Sequence, residues 1–258
     1  MSDSAVTFLL LPGMFLGVLV FVEIGRRLGI RRVAEETERE RVVLSTIETA
    51  IYALLGLMLA FTFSGAASRF DTRRTLTVQE ANAIGTAYLR LDLLPAAAQP
   101  PLREKFRRYT EARIAVFQSL PDVAASNADA ARAGALQGEI WTDALAALKD
   151  APPASSLLLL PALNDMIDIT TTRAITLRTH TPPIVLATLV VLTLICSLMI
   201  GNGLARKGSS AVVLHTVGFA LVLTVTMYVI FDLDHPRVGL IRLDYADQAL
   251  TDVLAGMK

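Results

Sequence analysis

Two ionisable side chains sit where ionisable groups are costly. Glu48 lies about one helical turn inside one apolar run and His215 about one turn inside another, and a charge at bilayer depth costs roughly 2.5 to 3.5 kcal/mol on insertion scales. Two readings follow. Either the two approach each other or line one aqueous vestibule and take part in moving ions, or each snorkels to the nearby interface and is merely tolerated. A second set of charges gathers at the opposite ends of apolar runs. Asp232, Asp234 and His235 follow one run, Arg69 and Arg73 follow another, and Arg178 and His180 precede a third. The simple expectation is an interfacial network that clamps the apolar segments to a water-exposed region; the functional alternative is an entrance that concentrates ions.

Other chemistry is scarce. There is no HExxH, no GxSxG, no Walker loop and no GxGxxG after a strand, so an enzyme is the disfavoured class and no cofactor is expected. His180, His215 and His235 are far apart in sequence, and a metal centre needs several converging ligands, so no metal is expected either. The single cysteine, Cys196, lies in an apolar stretch, which excludes an internal disulfide and reads as small-residue packing. With 24 basic and 24 acidic residues the formal charge is zero, so no global field draws nucleic acid.

The elements that must position these groups are set by hydropathy. Apolar residues make up 53% of the 258, mean hydropathy is +0.51, and the apolar content is gathered in blocks. Four of these, near 5–25, 43–65, 183–205 and 211–232, are long enough for the roughly 20 helical residues that cross a hydrocarbon core. The expected fold is all-α and integral to the membrane, with the lipid bilayer as its surroundings. Residues 1–65 hold spans 1 and 2, 66–182 a helical extramembrane domain, 183–232 spans 3 and 4, and 233–258 an amphipathic tail. Span 1 reads as a retained anchor, because Asp3 precedes it and Arg26, Arg27, Arg31 and Arg32 follow it. Pro12-Gly13 predicts a kink.

Basic residues in short connections set orientation. The first connection carries Arg26, Arg27, Arg31, Arg32, Arg39 and Arg41, accompanied by Glu35, Glu36, Glu38 and Glu40, and the third carries Arg206 and Lys207. That side is expected in the cytoplasm of a cell with this inner membrane, with both termini and 66–182 facing outward.

Within 66–182 nothing alternates as a strand would. Phe70, Thr77, Ile84 and Leu91 interleave with Arg74, Ala81 and Tyr88 in a seven-residue pattern suited to one face of a bundled helix. No proline or glycine pair separates this pattern from span 2, so 43–94 is expected as one helix ended by Pro95. Further helices fit 101–119, 128–149, with Gly134 and Gly138 weakening it, and about 155–179. On span 2 the face Ser45, Thr49, Tyr52, Gly56, Leu59, Phe63 and Ala66 runs from polar to apolar. With copies around an axis, Glu48, Tyr52, Gly56, Leu59 and Phe63 would line a pore, Leu59 and Phe63 forming a neck that gates by dewetting. Ordinary helix packing, with Gly56 and Ala66 allowing close approach, is the plainer account.

The stretch LGLMLAFTFSGAASRFDTRRTLTVQEANAIGTAYLRLDLLP, from Leu55 to Pro95, and the closing DLDHPRVGLIRL, residues 232–243, resemble the bacterial bestrophin-like membrane proteins, a family named for a likeness to bestrophin anion channels. The resemblance implies a homo-oligomer, with a pentamer as the expected form, and a second span lining an anion pathway through a hydrophobic neck. It also marks Arg69, Arg73, Glu80, Asn82, Tyr88 and Arg90 as the motif's distinctive polar residues. Glu80 and Asn82 fall mid-helix, where asparagine is a poor helix former; they serve either a specific interaction or a solvated face.

A passive channel for small ions, anions before cations, is therefore the leading expectation. A membrane-anchored sensor or scaffold signalling through its helical extramembrane domain is the alternative. A transporter is disfavoured because the two halves show no repeat.

Overall fold

The computed structural model of the chain describes residues 3–32, 37–120, 122–205, 210–236 and 239–257, without the side chains of 3–10, 32, 210–213 and 244. Of the charges named above, Glu35, Glu36, Arg206, Lys207 and the side chains of Asp3 and Arg32 lie outside the described residues. Every regular element among the described residues is helical: α1 (Asp3–Arg32), α2 (Glu38–Leu89, extended by a 3-10 turn at Arg90–Leu93), α3 (Gln99–Gln118), α4 (Val123–Leu148), α5 (Pro153–Arg178), α6 (Pro183–Leu204), α7 (Ser210–Asp234) and α8 (Asp244–Gly256).

Local chemistry explains the boundaries. Thr37 and Glu40 form a capping box at the head of α2: the Thr37 N–H donates to the Glu40 carboxylate at 2.9 Å, and the Glu40 N–H to the Thr37 hydroxyl at 3.4 Å. Nothing then breaks the helix for 52 residues, about 78 Å at 1.5 Å per residue. Asp122 caps α4 by accepting from the Ala124 and Ala125 N–H groups at 3.0 and 3.1 Å. This cap starts the helix five residues before the expected 128, and the helix passes straight through Gly134 and Gly138. Prolines open α3, α5 and α6, where a missing N–H costs nothing. α1 runs through Pro12 and on to Arg32, seven residues past the expected end of span 1. The tail contains α8, which hydropathy alone did not separate from its surroundings.

The chain divides into two compact units, 1–69 with 180–240 and 70–179 with 241–258. Among the described residues, the helical stretches Glu38–Leu93, Pro153–Leu204 and Leu214–Asp234 are each long and apolar enough to cross a membrane.

In the first unit α1 packs along α6 with backbone touching backbone. A Cβ added at Gly25 would stand 1.9 Å from the Leu198 carbonyl oxygen, and one at Gly201 would stand 1.9 Å from that of Val22. Gly29 meets Asn202 in the same way. A second apolar cluster joins Leu55 of α2 to Leu189 and Cys196 of α6 and Leu223 of α7, so Cys196 is a buried packing residue. Much of the rest of α2 in this unit is bare: Val42, Ile47, Leu54, Leu57 and Phe61 are all exposed, Phe61 by 69%.

In the second unit the seven-residue pattern is the buried face of α2. Thr77, Ile84 and Leu91 are fully enclosed, with Ala81 and Tyr88 beside them, while Arg74 is exposed. Phe106 and Tyr109 of α3, Ile140 of α4, and Leu159, Leu163 and Met166 of α5 complete this core. Leu250 of α8 belongs to it as well, so the tail is part of the unit.

Candidate functional site

Three places on this scaffold gather the polar residues singled out in the sequence. The first is the span portion of α2. Leu55, Thr62 and Ala66 are its buried line, and Ile51, Tyr52, Met58 and Leu59 pack beside that line against α6 and α7. Gly56 stands in open space, where an added Cβ would meet nothing within 4 Å, and Phe63 is 43% exposed. Of the five residues expected along a pore, Gly56 and Phe63 thus lie on the bare side, Tyr52 and Leu59 lean on their own chain, and Glu48 is half-buried. Within the chain, close backbone approach occurs at Gly25, Gly29 and Gly201. His215 is exposed on α7.

The second place is the end of α7. Arg69 donates through Nε to Asp234 at 2.8 Å and through Nη2 to the Thr181 hydroxyl. The other Asp234 oxygen accepts from the Thr181 backbone N–H at 2.7 Å, so one carboxylate ties α2 to the segment ahead of α6. Asp232 does something different: both its oxygens accept from the Leu240 N–H, at 3.0 and 3.1 Å, and it is almost fully enclosed. Gly239 is required there, because a Cβ would fall 1.2 Å from the Asp232 carboxylate. His180 and His235, 55 positions apart, stack with ring centroids 4.6 Å apart and planes within 6°.

Arg73 and Arg178 differ from Arg69 in burial. Arg73, within the second unit, is buried and donates to the Thr179 carbonyl at 2.7 Å and the Thr176 carbonyl at 3.5 Å. It neutralises the C-terminal end of α5, where unpaired carbonyls favour a cation. Arg178 is exposed and makes no ion pair among the described residues.

The third place is Glu80. It is fully buried and accepts from Arg113 Nε and Arg173 Nη1, both at 2.5 Å. Arg173 also reaches Asp247 of α8 at 3.3 Å and lies 3.6 Å over the Phe117 ring. Burial pushes the Glu80 carboxyl up, but the two guanidinium groups outweigh it and hold it below the usual carboxylate range. Burial likewise raises the Tyr109 hydroxyl, which accepts from Gln137 at 3.1 Å. The remaining motif residues divide between two fates. Asn82 is exposed, Tyr88 accepts from Arg103 at 3.0 Å, and Arg90 donates to the Leu158 carbonyl.

Sequence reasoning missed the histidine pair and the α1–α6 glycine contact. The second carried a signal: Gly25-x-x-x-Gly29 is the small-residue spacing of close membrane-helix packing. Arg26 and Arg27 inside it made the segment read as a connection.

A family model described as a Bestrophin-like domain matches residues 13–247. Among solved structures the chain is similar to a variant of a bacterial bestrophin homologue from Klebsiella pneumoniae, with a TM-score of 0.71, 13% identity, and coverage of 95% of this chain and 98% of that one. A second variant of a Klebsiella pneumoniae bestrophin homologue gives 0.69 at 14% identity, covering 94% and 97%. A chain described as a membrane protein gives 0.66 at 14%, covering 93% and 98%. At such identities the likeness is one of fold. No curated protein matches the sequence.

Proposed function

The chain belongs to the Bestrophin-like family, and on that premise we propose that copies of it assemble around α2 into an ion channel. The observation that carries the proposal is the bare apolar surface of α2. Its own chain covers one narrow side, leaving Leu54, Leu57, Phe61 and Phe63 exposed. Such a surface needs other cover, and lipid together with neighbouring copies supplies it. Four spans, in α1, the first half of α2, α6 and α7, fit this reading. The arginine-bearing connection after α1 then lies in the cytoplasm under the positive-inside rule.

A ring of such helices, five if the assembly is the pentamer that the sequence resemblance implies, would turn Gly56 and Phe63 toward the axis. Phe63 closes a dry neck there, and water leaves a narrow apolar passage of its own accord. The anion preference rests on the family alone. Glu48 and His215 sit toward the other end of the spans, where a titratable group would tune entry.

Recording from purified protein in planar bilayers tests this directly. The native chain should conduct chloride. Phe63→Ala should raise the open fraction or the unitary current several-fold, because a wider, wetter neck has a lower barrier. Glu48→Gln should alter ion preference or pH response. Silence across a range of pH, calcium and voltage, in the native chain and in Phe63→Ala alike, would refute conduction. An unchanged Glu48→Gln would remove only that residue from the mechanism.

A further inference from the structure

At the end of α7 a group of side chains has no part in the channel reading, and the argument for it stands independently of that reading. His180 precedes α6, Asp234 is the last residue of α7, and His235 follows it. One ligand-capable atom from each lies within 4.8 Å of the others, the one such group among the described residues. His180 has a side chain 40% exposed, so the group is reachable from water.

The hydrogen bonds around the two rings are informative. His180 Nδ1 lies 3.0 Å from the Asp234 carbonyl oxygen, and His235 Nδ1 lies 3.0 Å from the Phe231 carbonyl oxygen. A carbonyl oxygen only accepts, so each Nδ1 carries a proton, and in the neutral ring the lone pair resides on Nε2. Protein metal centres use this arrangement: a backbone carbonyl fixes the tautomer and orientation of a ligating histidine and raises the basicity of its other nitrogen. Phe231, stacked on His235 at 4.2 Å, further fixes that ring. The carboxylate is positioned too, held by Arg69 and the Thr181 N–H.

We propose that His180, Asp234 and His235 form a binding site for a divalent transition-metal ion of the zinc class. Ligand chemistry selects the ion. Two imidazoles and one carboxylate suit zinc, cobalt or nickel, whereas calcium and magnesium take six or more oxygens. Three protein ligands leave a fourth tetrahedral position for water or a small anion. Zinc bonds to imidazole nitrogen at about 2.0–2.1 Å along the lone pair, and the lone pairs of parallel rings do not converge. Binding must therefore turn at least one ring and end the stack. The ion would also fasten the end of α7 to the segment before α6, two parts of one unit that the Asp234 bonds already join.

The test uses the full chain in detergent, stripped with a chelator and titrated with zinc by calorimetry. The expected result is one ion per chain, a raised unfolding temperature, and an affinity at least about tenfold above that of His180→Ala or His235→Ala, in line with the cost of disturbing a metal site. Calcium should not compete. Cobalt substituted for zinc should give the visible absorption of a tetrahedral site containing nitrogen. Should either variant fail to fold, protection of His180 and His235 in the native chain from diethyl pyrocarbonate by zinc reads the same contact without a mutation. Zinc binding that is unchanged in folded variants, absent from the native chain, displaced by calcium, or without effect on histidine modification would overturn the site. None of these outcomes bears on whether the protein conducts.

Discussion

Glu80→Gln is expected to destabilise the protein by about 3–5 kcal/mol, the usual cost of removing one partner from a buried ion pair. The reason is the company Glu80 keeps. Arg113 and Arg173 are themselves 7% and 2% exposed, so glutamine would leave two enclosed guanidinium groups facing a neutral amide. Thermal unfolding of the detergent-solubilised chain should show a clear fall in midpoint. Replacing all three at once, Glu80→Leu with Arg113→Met and Arg173→Met, should restore much of the loss, because the fully enclosed charges go together and Asp247, which loses Arg173, is partly exposed to water. The pH dependence follows with a definite sign. The folded carboxyl is held below its unfolded value of about 4.3, so its contribution is complete above that pH and is lost as pH falls through the folded value. Native protein should therefore lose stability faster than Glu80→Gln as pH drops below about 5. Parallel acid profiles for the two would show that the carboxylate contributes nothing.

Gly201→Ala, and separately Gly25→Ala, should each weaken the first unit by several kcal/mol, beyond the roughly 1–3 kcal/mol typical of an oversized side chain in a packed interior. The obstacle in both cases is backbone. The new methyl would lie 1.9 Å from a carbonyl oxygen where ordinary contact is 3.4–4 Å, so no rotamer of the opposing helix relieves it and the two helices must part. Contact along α1 and α6 would be lost together with the Val18 and Val22 packing that lies beside it. Detergent-resistant folding, followed by unfolding temperature and protease sensitivity, is the measurement. Gly56→Ala is the control, because it has room for the methyl, and it should unfold like the native chain. If Gly201→Ala behaves like Gly56→Ala, the close approach of α1 and α6 is wrong.

Much of the helical frame is legible in the residues because its punctuation is local. Prolines 95, 100, 101, 152, 153, 182 and 183 mark helix edges without reference to anything distant, and the Thr77, Ile84, Leu91 repeat announces its buried face by period alone. The errors at boundaries have equally local causes, such as the Asp122 cap that begins α4 early and the Arg26-Arg27 pair that disguised a continuing α1. The polar sites were less legible because their partners are chosen in space. Arg69 and Arg73 are one turn apart and look equivalent, yet one pairs with a carboxylate and the other with the carbonyls ending α5. Asp232 and Asp234 likewise alternate, one bracing a turn and the other bridging to Arg69 and Thr181. Glu80 read as either a buried contact or a wet surface, and only the arrival of Arg113 and Arg173 from two other helices decides between them. His180 and His235 carry no hint of each other along the chain.

Cys196 is the sole thiol in the sequence, and it is sealed among Leu55, Leu189 and Leu223 with no exposed surface. The native chain should therefore be silent toward a maleimide that cannot cross membranes. Any cysteine introduced elsewhere becomes a lone reporter without first removing the natural one. Arg31→Cys and Tyr245→Cys, both at exposed positions, would sort the two sides of the membrane in living cells. Labelling of Tyr245→Cys in intact cells, with Arg31→Cys reacting only after permeabilisation, would set the arginine-bearing connection in the cytosol; the opposite pattern would turn the whole protein over.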